Sequence, residues 1–330
     1  MPTDRLTSLI ASFRGQRLVV FGDLIADEYV YGRVARVSRE APVLILEYDA
    51  TEVVPGGAGN AANNAASLGA DVTLVSLVGR DEHGRRLFKV LPRGVARTGL
   101  ARPGGYRTPV KTRILAGGIH SAKQQVVRID RFASEPVADA HREAAERMAR
   151  TAIKGADAVL VSDYGSGLVT PKFIHELAGR LKNKAPILID SRYALTRYRG
   201  LTACTPNESE VEQVLGVTID DQPQVLERAG RALLKRTRMQ AVLITRGSRG
   251  MALFEAGKPT VHVPIFGSDQ IADVTGAGDT VMATMTLALA AGATFEEAAR
   301  LANFAGGLVV MKRGTATVSA PELRRAVSHG

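Results

Sequence analysis

Continuous apolar runs alternate with segments of helical periodicity along most of this chain. The apolar runs, which are typical of buried strands, are residues 17–22, 71–78, 157–161, 186–190 and 241–245. Residues 58–68, 81–91 and 138–153 are compatible with helices between these runs. Because strands of a parallel sheet covered on both faces are apolar throughout, the pattern predicts an α/β fold with helices on both sides of a mostly parallel sheet.

Two segments interrupt this alternation. Residues 26–54 and 106–131 are rich in strand-forming residues and turns, and Gly117-Gly118 separates two apolar runs in the second segment. We interpret both segments as strands of a small second sheet, inserted into one domain that spans residues 1–330. A small sheet cannot bury both of its faces, so we expect it to cover an active site, to contact a partner subunit, or to do both.

Polar residues follow several of the predicted strands. In α/β proteins, ligands bind at the carboxyl ends of parallel strands. The residues at these ends are Gly22-Asp23, Ser162-Asp163, Asp190 and Thr245-Arg246-Gly247. Because the ends of parallel strands meet at one edge of the sheet, this edge is the predicted active site, with Asp23 and Asp163 as candidates for substrate contacts.

The composition indicates neither a membrane protein nor a nucleic-acid-binding protein. No apolar run approaches the roughly 20 residues of a transmembrane helix, and the amino terminus lacks the pattern of a signal peptide. The single cysteine, Cys204, excludes an internal disulfide and suits the cytoplasm, and its apolar flank predicts a buried strand. The net charge is +10, but the basic residues are spread along the chain, so we expect an anionic small-molecule substrate and no nucleic acid.

The segment Asp273-Val-Thr-Gly-Ala-Gly-Asp279 precedes a long helical run. The first N–H groups of a helix lack intrahelical partners and lie at the positive end of its dipole, so Gly276, Ala277 and Gly278 are candidates for binding an anion. Asp279 places a carboxylate beside that anion. An anion site with an adjacent base is what phosphoryl transfer to an alcohol requires. An ordinary glycine-rich turn with an acidic residue near the helix dipole is the alternative.

Three further motifs accompany this segment. They are Gly56-Gly57-Ala58-Gly59-Asn60, Asn207-Glu208-Ser209-Glu210 and Thr245-Arg246-Gly247-Ser248-Arg249-Gly250. With the four motifs in this order, the chain resembles the ribokinase-like sugar kinases of the PfkB family over nearly its whole length. The resemblance implies a ribokinase-like three-layer α/β/α fold with a small β-sheet lid, and the activity of an ATP-dependent carbohydrate kinase.

The resemblance also implies roles for individual residues. Asp279 would accept the proton of the attacking sugar hydroxyl, while backbone N–H groups of residues 276–278 would stabilise charge on the transferred phosphoryl group. The residues implied at the acceptor site are Asp23, Gly56, Gly57, Asn60 and Asp163. The residues implied at ATP are Asn207, Glu210, Thr245, Gly247, Gly250 and Asn303, with Arg192 as a further phosphate contact.

The same resemblance implies cations and a second subunit. Glu210 would hold Mg²⁺ through water, because Mg²⁺ gives up its water ligands reluctantly. Asp273 and Thr275 match part of a site for a monovalent cation such as K⁺, and we expect a homodimer formed through the lid sheets. Helix capping is open for two residues: Asn60 is suited to cap a helix after a plain Gly-Gly turn as an alternative to binding the acceptor, and Asn207 is suited to cap a helix after Pro206 in addition to its role at the nucleotide.

Several stretches resemble one branch of the family, the heptose-phosphate kinases. They are residues 22–32, 36–43, 125–130, 162–167, 197–200, 205–210 and 314–319. This branch phosphorylates the anomeric O1 of D-glycero-β-D-manno-heptose 7-phosphate, a precursor of the lipopolysaccharide core. An acceptor that already carries a phosphate requires cationic side chains, and we expect one or two of six candidates to bind it. The candidates are Arg36, Arg39, Lys111, Arg113, Lys123 and Arg128.

The chain departs from this branch at two places. Asp190-Ser191-Arg192 stands where the heptose kinases usually have Asp-Pro-Lys, and residues 61–64 read Ala-Ala-Asn-Asn instead of Val-Ala-Met-Asn. Two alternatives therefore stay open: a kinase for another sugar or sugar phosphate, such as ribose, fructose or fructose phosphate, and a catalytically inactive binding protein. No signature of a fused nucleotidyltransferase follows the kinase motifs, so we expect a separate protein to perform nucleotidyl transfer.

Overall fold

The computed structural model describes residues 3–117, 123–133, 136–181, 184–267, 273–312 and 314–329. The helices are α1 (Thr3–Ala11), α2 (Ala58–Ser67), α3 (Glu82–Val90), α4 (Asp139–Ala152), α5 (Pro171–Leu181), α6 (Glu208–Leu215), α7 (Pro223–Thr237), α8 (Ala277–Ala290), α9 (Phe295–Val310) and α10 (Ala320–His329). These helices include every helix that the periodicity predicts. Within the described residues, none of them combines the length and apolar character needed to cross a bilayer.

The strands form two separate sheets. The large sheet contains β1 (Arg17–Gly22), β4 (Asp71–Leu77), β5 (Val95–Ala96), β6 (Leu100–Ala101), β9 (Ala158–Asp163), β10 (Ile187–Ser191), β11 (Ala203–Cys204), β12 (Ala241–Thr245), β13 (Met251–Glu255) and β14 (Val261–Val263). Its order is β14-β13-β12-β11-β10-β9-β1-β4-β5, with β6 paired to β4. Only β13 and β14 at one edge pair in the antiparallel sense. The prediction of a mostly parallel sheet is therefore confirmed.

Helices cover both faces of this sheet, because successive residues of its strands point to opposite sides. In β1, Leu18 and Val20 pack into one apolar core together with helices α1, α2, α8, α9 and α10. Val19 and Phe21 pack into a second core with helices α4, α5, α6 and α7. Cys204 is buried in β11, as its apolar flank predicts. The result is the three-layer α/β/α arrangement.

The small sheet contains β2 (Leu24–Val37), β3 (Leu44–Gly57), β7 (Val110–Gly117) and β8 (Gln124–Arg131), in the order β3-β2-β7-β8. The two outer pairs are antiparallel and β2 pairs with β7 in parallel. We refer to this sheet as the lid. It begins two residues after β1 and returns directly into α2, so it adjoins the carboxyl ends of the central strands. One consequence is that lid residues reach the edge where the sequence predicts the active site.

Candidate active site

Helix α8 begins beside the predicted active-site edge, and its start depends on a glycine. Gly276 caps the helix with φ at 79°, a left-handed conformation that glycine adopts without steric cost. A Cβ on Gly276 would also overlap the side-chain amide of Asn60. The left-handed φ and the close approach of Asn60 both require glycine here. The absence of a side chain at Gly276 lets the first turn of α8 pack against the start of α2.

Asp279 lies in this first turn and is buried, with 6% of its surface exposed. The Asn60 side-chain amide donates a hydrogen bond of 2.8 Å to Asp279 Oδ2. Asn60 is itself oriented, because Asn64 Nδ2 donates to Asn60 Oδ1 over 3.1 Å and Thr280 Oγ1 donates to Asn64 Oδ1 over 2.9 Å. The network leaves the NH₂ group of Asn60 facing the carboxylate. Asn60 thus contacts the predicted base directly.

The pKa of Asp279 is raised to about 7. Burial is the main cause, and the negative charge of Asp27 adds to it, whereas the Asn60 hydrogen bond and the Lys111 ammonium oppose it. A carboxyl group with a pKa near 7 can take up a proton from a hydroxyl during reaction and release it at neutral pH. The geometry of Asp279 therefore suits the general base that the sequence predicts.

The backbone N–H groups of residues 276–278, beside Asp279, differ in whether they already donate a hydrogen bond. The N–H of Ala277 donates to the Val274 carbonyl over 3.3 Å. Among the described residues, the N–H groups of Gly276 and Gly278 have no acceptor. These two groups are therefore available to an anion at the positive end of the α8 dipole. The predicted contribution of Ala277 requires its bond to Val274 to open.

The lid supplies an acidic residue that sequence reasoning missed. Asp27 in β2 is 6% exposed, accepts a hydrogen bond of 2.6 Å from Arg113 Nη1, and contributes to the raised pKa of Asp279. A Cβ on Gly56 would overlap the Asp27 carboxylate, so this glycine allows the close approach of Asp27 to the Gly-Gly motif. The signal for Asp27 was its position four residues after Asp23, at the start of a predicted lid strand.

Asp23 and Asp163, which the sequence places at the acceptor, hold neighbouring loops in the structure. Asp23 accepts from the Tyr164 N–H over 2.8 Å and from the Ser166 hydroxyl. Burial raises the pKa of Asp23 to about 6. Asp163 accepts from Ser191 Oγ over 2.8 Å and from the Tyr198 hydroxyl over 2.7 Å. Contacts of these two carboxylates to a sugar remain a prediction.

A cavity of about 1180 Å³ lies between the lid and the central sheet. Its wall carries five Lys or Arg side chains and two carboxylates, so it favours an anionic ligand. The cationic residues are Arg107, Lys111, Arg128, Arg131 and Arg192. Asp279 is not part of this wall, but Lys111 is, and its charge acts on Asp279. The cavity therefore adjoins the base on the lid side.

The structure divides the six cationic candidates for an acceptor phosphate. Lys111 and Arg128 line the cavity. The Lys111 ammonium lies 4.3 Å from the centroid of the Tyr164 ring, and burial lowers its pKa. Arg113 is paired with Asp27 and Lys123 with Asp49. The remaining two, Arg36 and Arg39, are exposed at the far end of the β2–β3 hairpin.

On the opposite side of the site, the Asn-x-x-Glu motif forms a complete helix cap. Asn207 Oδ1 accepts from the Glu210 N–H over 2.9 Å, and Glu210 Oε2 accepts from the Asn207 N–H over 3.0 Å. The alternative of a capping role for Asn207 is therefore confirmed. A bridge between Asn207 and Thr245 joins this cap to the end of β12. Two of the motifs predicted to bind the nucleotide thus lie side by side.

The other predicted nucleotide residues lie close to this bridge. Gly247 and Gly250 have φ of 54° and 76°, and a Cβ on Gly250 would overlap the Val263 carbonyl, so both shape the turn between β12 and β13. Asn303 in α9 donates to the Pro264 carbonyl over 2.8 Å. This bond gives Asn303 a structural role at the end of β14. Its predicted position near the adenine stays a prediction.

A second carboxylate, Asp190, lies close to Glu210 of the Asn-x-x-Glu motif and to Asp279, and both Asp190 and Glu210 are half-buried. Burial raises the pKa of Asp190 well above its usual range, and the charges of Glu210 and Asp279 add to this effect. Burial also raises the pKa of Glu210, and the Arg192 guanidinium opposes that shift. Arg192 also lines the cavity. It therefore lies where the acceptor side and the nucleotide side of the site meet.

Asp273 and Thr275, which match part of a monovalent cation site, are joined by a hydrogen bond in the segment before α8. Asp273 accepts from the Thr275 N–H over 2.9 Å and from the Gly314 N–H over 3.1 Å. The Asp273 carboxylate thus joins the segment before α8 to the segment before α10. Among the described residues, no group of three or more acidic, His or Cys side chains is arranged to hold a metal ion. A K⁺ site at Asp273 and Thr275 stays a prediction.

Comparison with known proteins decides the family. The model of the pfkB family of carbohydrate kinases matches residues 16–323. The chain belongs to this family. Among its curated relatives is the "Bifunctional protein HldE" of Geobacter metallireducens, which is 40% identical over 326 residues, covering 98% of this chain and 65% of that protein. The protein of the same name from Citrifermentans bemidjiense is 41% identical over 318 residues, covering 95% of this chain and 64% of that protein.

Two solved structures share the fold of this chain. Arabidopsis thaliana ribokinase complexed with ribose and ATP superposes with a TM-score of 0.71 at 21% identity, covering 96% of this chain and all of that one. Escherichia coli phosphofructokinase-2 in complex with potassium gives 0.76 at 18% identity, covering 96% and 99%. The ribokinase-like fold predicted from the motifs is therefore confirmed. At these identities the likeness concerns the fold of this pfkB family kinase.

Proposed function

We propose that this pfkB family kinase transfers the γ-phosphoryl group of ATP to the anomeric O1 of D-glycero-β-D-manno-heptose 7-phosphate. The observation that carries the proposal is the position of Asp279. A buried carboxylate with a pKa near 7 lies beside two N–H groups at the start of α8 that have no acceptor among the described residues, and next to a cationic cavity. A base, an anion site and a pocket for an anionic acceptor are thus adjacent.

In the proposed reaction the sugar oxygen attacks the γ-phosphorus, and the bond from that phosphorus to the bridging oxygen of ADP breaks. Asp279 takes the hydroxyl proton, and Asn60 keeps the carboxylate oriented toward it. The N–H groups of Gly276 and Gly278 donate to the charge that develops on the transferred group. Catalysis of this kind depends mainly on positioning and electrostatics.

Asp190 and Glu210 fit a hydrated Mg²⁺ ion. Burial raises the pKa of both carboxyl groups, so a divalent cation would stabilise their ionised forms in addition to the Arg192 guanidinium. Carboxylate oxygens also suit the hard Mg²⁺ ion, which keeps several of its waters. Bound there, Mg²⁺ would neutralise charge on the phosphates of ATP.

Three observations support a phosphorylated heptose as the acceptor. Seven stretches resemble the heptose-phosphate branch, and the curated relatives at about 40% identity carry the name HldE. The cavity wall carries more cationic than anionic side chains, and the charge of Lys111 in this wall acts on the Asp279 carboxylate. The chain spans about 65% of the length of these bifunctional relatives, so the proposal concerns the kinase reaction alone.

The proposal is tested by coupled ADP release with heptose 7-phosphate, ribose, fructose and fructose phosphates as acceptors. We expect the highest kcat/KM with heptose 7-phosphate. Activity on unphosphorylated sugars alone would refute the phosphorylated acceptor. Asp279→Asn should lose about 10²–10⁴-fold in kcat, because the general base is removed. Turnover of this variant near that of wild type would refute the role of Asp279.

A matched pair of lysine variants locates the acceptor phosphate. Lys111→Gln should raise KM for the phosphorylated acceptor about 10- to 100-fold, because a charge-assisted hydrogen bond is lost. Lys123→Gln is the control, since Lys123 directly precedes β8 of the same lid but pairs with Asp49. Equal KM values for the two variants would place the acceptor phosphate elsewhere.

A further inference from the structure

A hydrogen bond joins the lid to the segment between α9 and α10, which contacts the start of α8. The Tyr29 hydroxyl in β2 lies 2.7 Å from Thr315 Oγ1, across 286 residues of sequence. Tyr29 is 3% exposed, and burial raises its pKa to about 12, so the phenol stays protonated at neutral pH. The segment that contains Thr315 resembles the heptose-phosphate branch, but none of the roles assigned above uses it.

Thr315 in turn lies against the anion site. Its Cγ2 is 3.2 Å from the place where a Cβ of Gly276 would stand, so the threonine methyl group packs over that glycine. The preceding residue, Gly314, donates to the Asp273 carboxylate, which also accepts from the Thr275 N–H. A displacement of Thr315 therefore acts on Gly276 by direct contact and through Asp273.

On the lid side, Tyr29 belongs to the group that faces the reaction centre. Asp27 and Tyr29 are two residues apart in β2 and share one face of the lid with Lys111 and Arg113, their partners in β7. The Arg113 guanidinium lies 5.4 Å from the centroid of the Tyr29 ring and pairs with Asp27. The position of Tyr29 is therefore tied to the residues that the acceptor would contact.

We propose that Tyr29 is a positioning residue, whose bond to Thr315 couples the seating of the lid over the acceptor to the orientation of the Gly276 and Gly278 donors. The proposal rests on the anion-binding role of these donors in the proposed function. Tyr29 itself touches neither the reacting hydroxyl nor the phosphoryl group. With the bond intact, a lid closed on its acceptor holds Thr315 against Gly276, and the donors are aligned when the acceptor is bound.

The test compares Tyr29→Phe, Thr315→Val and the double variant in the full chain. Each single change removes one hydroxyl and keeps the shape of the side chain. We expect each to lower kcat about five- to tenfold with KM for ATP and for the acceptor within about twofold of wild type, because the donors act on the transition state. The double variant should lose no more than either single variant, since one bond is removed in all three.

Tyr31→Phe is the matched control, because Tyr31 follows on the same strand and its hydroxyl bonds to Glu52 at the exposed part of the lid. Hydrogen exchange of the amides of residues 274–280 gives a readout that does not depend on activity: it should be faster in Tyr29→Phe and unchanged in Tyr31→Phe. Unchanged exchange in Tyr29→Phe, an additive double variant, or a change confined to KM would overturn the coupling. A wild-type enzyme inactive on every sugar, with faster exchange in Tyr29→Phe, would refute the proposed function and leave the coupling supported.

Discussion

Replacement of the predicted base should stabilise the protein, and the gain should grow with pH. Asp279 is buried and is uncharged only when protonated, so its ionised form is costly in the folded state. The amide introduced by Asp279→Asn would stay neutral at every pH, and its oxygen could still accept the hydrogen bond from Asn60. The catalytic loss and the gain in stability therefore have the same origin, which is a carboxylate held in a buried site.

The magnitude follows from the two pKa values of Asp279. The pKa is about 7 in the folded protein and 3.8 for a free side chain, a difference of about 3 pH units. One pH unit corresponds to about 1.4 kcal/mol, so the difference amounts to about 4 kcal/mol. The folded pKa is the higher one, so the folded protein binds more protons than the unfolded chain between about pH 4 and pH 7. Wild type therefore loses stability as pH rises through this window, and the loss is complete above about pH 7.

The assay is urea unfolding of both proteins at pH 5 and pH 8, followed by far-ultraviolet circular dichroism. The stability of Asp279→Asn relative to wild type should increase by about 3 kcal/mol from pH 5 to pH 8, since about two of the three pH units lie in that interval. Asp157→Asn is the control. Pairing with Arg17 lowers the pKa of Asp157, so this carboxylate is charged at both pH values and its removal should have the same effect at each. A pH-independent difference for Asp279→Asn would refute the raised pKa.

Two further outcomes are expected. The kcat/KM of the wild-type enzyme should fall as pH decreases through about 7, because Asp279 must be ionised to accept a proton; a flat profile between about pH 6 and pH 8 would exclude it as the titrating base. The exposed apolar side chains of Val127 and Ile129 on the lid should contact a second copy of the chain. Light scattering should then show a dimer that Val127→Glu converts to a monomer, with Val90→Glu, a similarly exposed position in α3, as the control; a monomeric wild type would contradict this.

Much of the fold was predictable because its signals are local. The five apolar runs predict five of the ten described strands of the central sheet, and each of these strands lies within one or two residues of its predicted bounds. The lid strands were predicted within a few residues, at 24–57 and 110–131 in the structure. Their pairing was not predictable, because the parallel contact between β2 and β7 joins residues about 84 positions apart and leaves no periodic trace in either segment.

The candidate site likewise has a part that local sequence signals predict and a part that depends on contacts between distant segments. Asp23 and Asp27 both follow β1, and the sequence pattern favoured Asp23 because it stands directly at the strand end. The structure turns Asp23 toward the backbone of Tyr164 and Ser166 and brings Asp27 close enough to act on the charge of Asp279. The position of Asp27 depends on the course of the lid strand, which the sequence pattern does not contain. The cationic candidates were indistinguishable for the same reason, until the lid placed Lys111 and Arg128 at the cavity.

The sequence by itself determined the layers of the fold and the family, because apolar periodicity and motif order can be read along the chain without knowing which segments meet. Only the tertiary structure decided the chemistry around Asp279. The Asn60 hydrogen bond reaches across 219 residues, and the raised pKa comes from burial and from the charge of a lid residue. Desolvation and charge proximity depend on which distant segments meet, so no local pattern contains them.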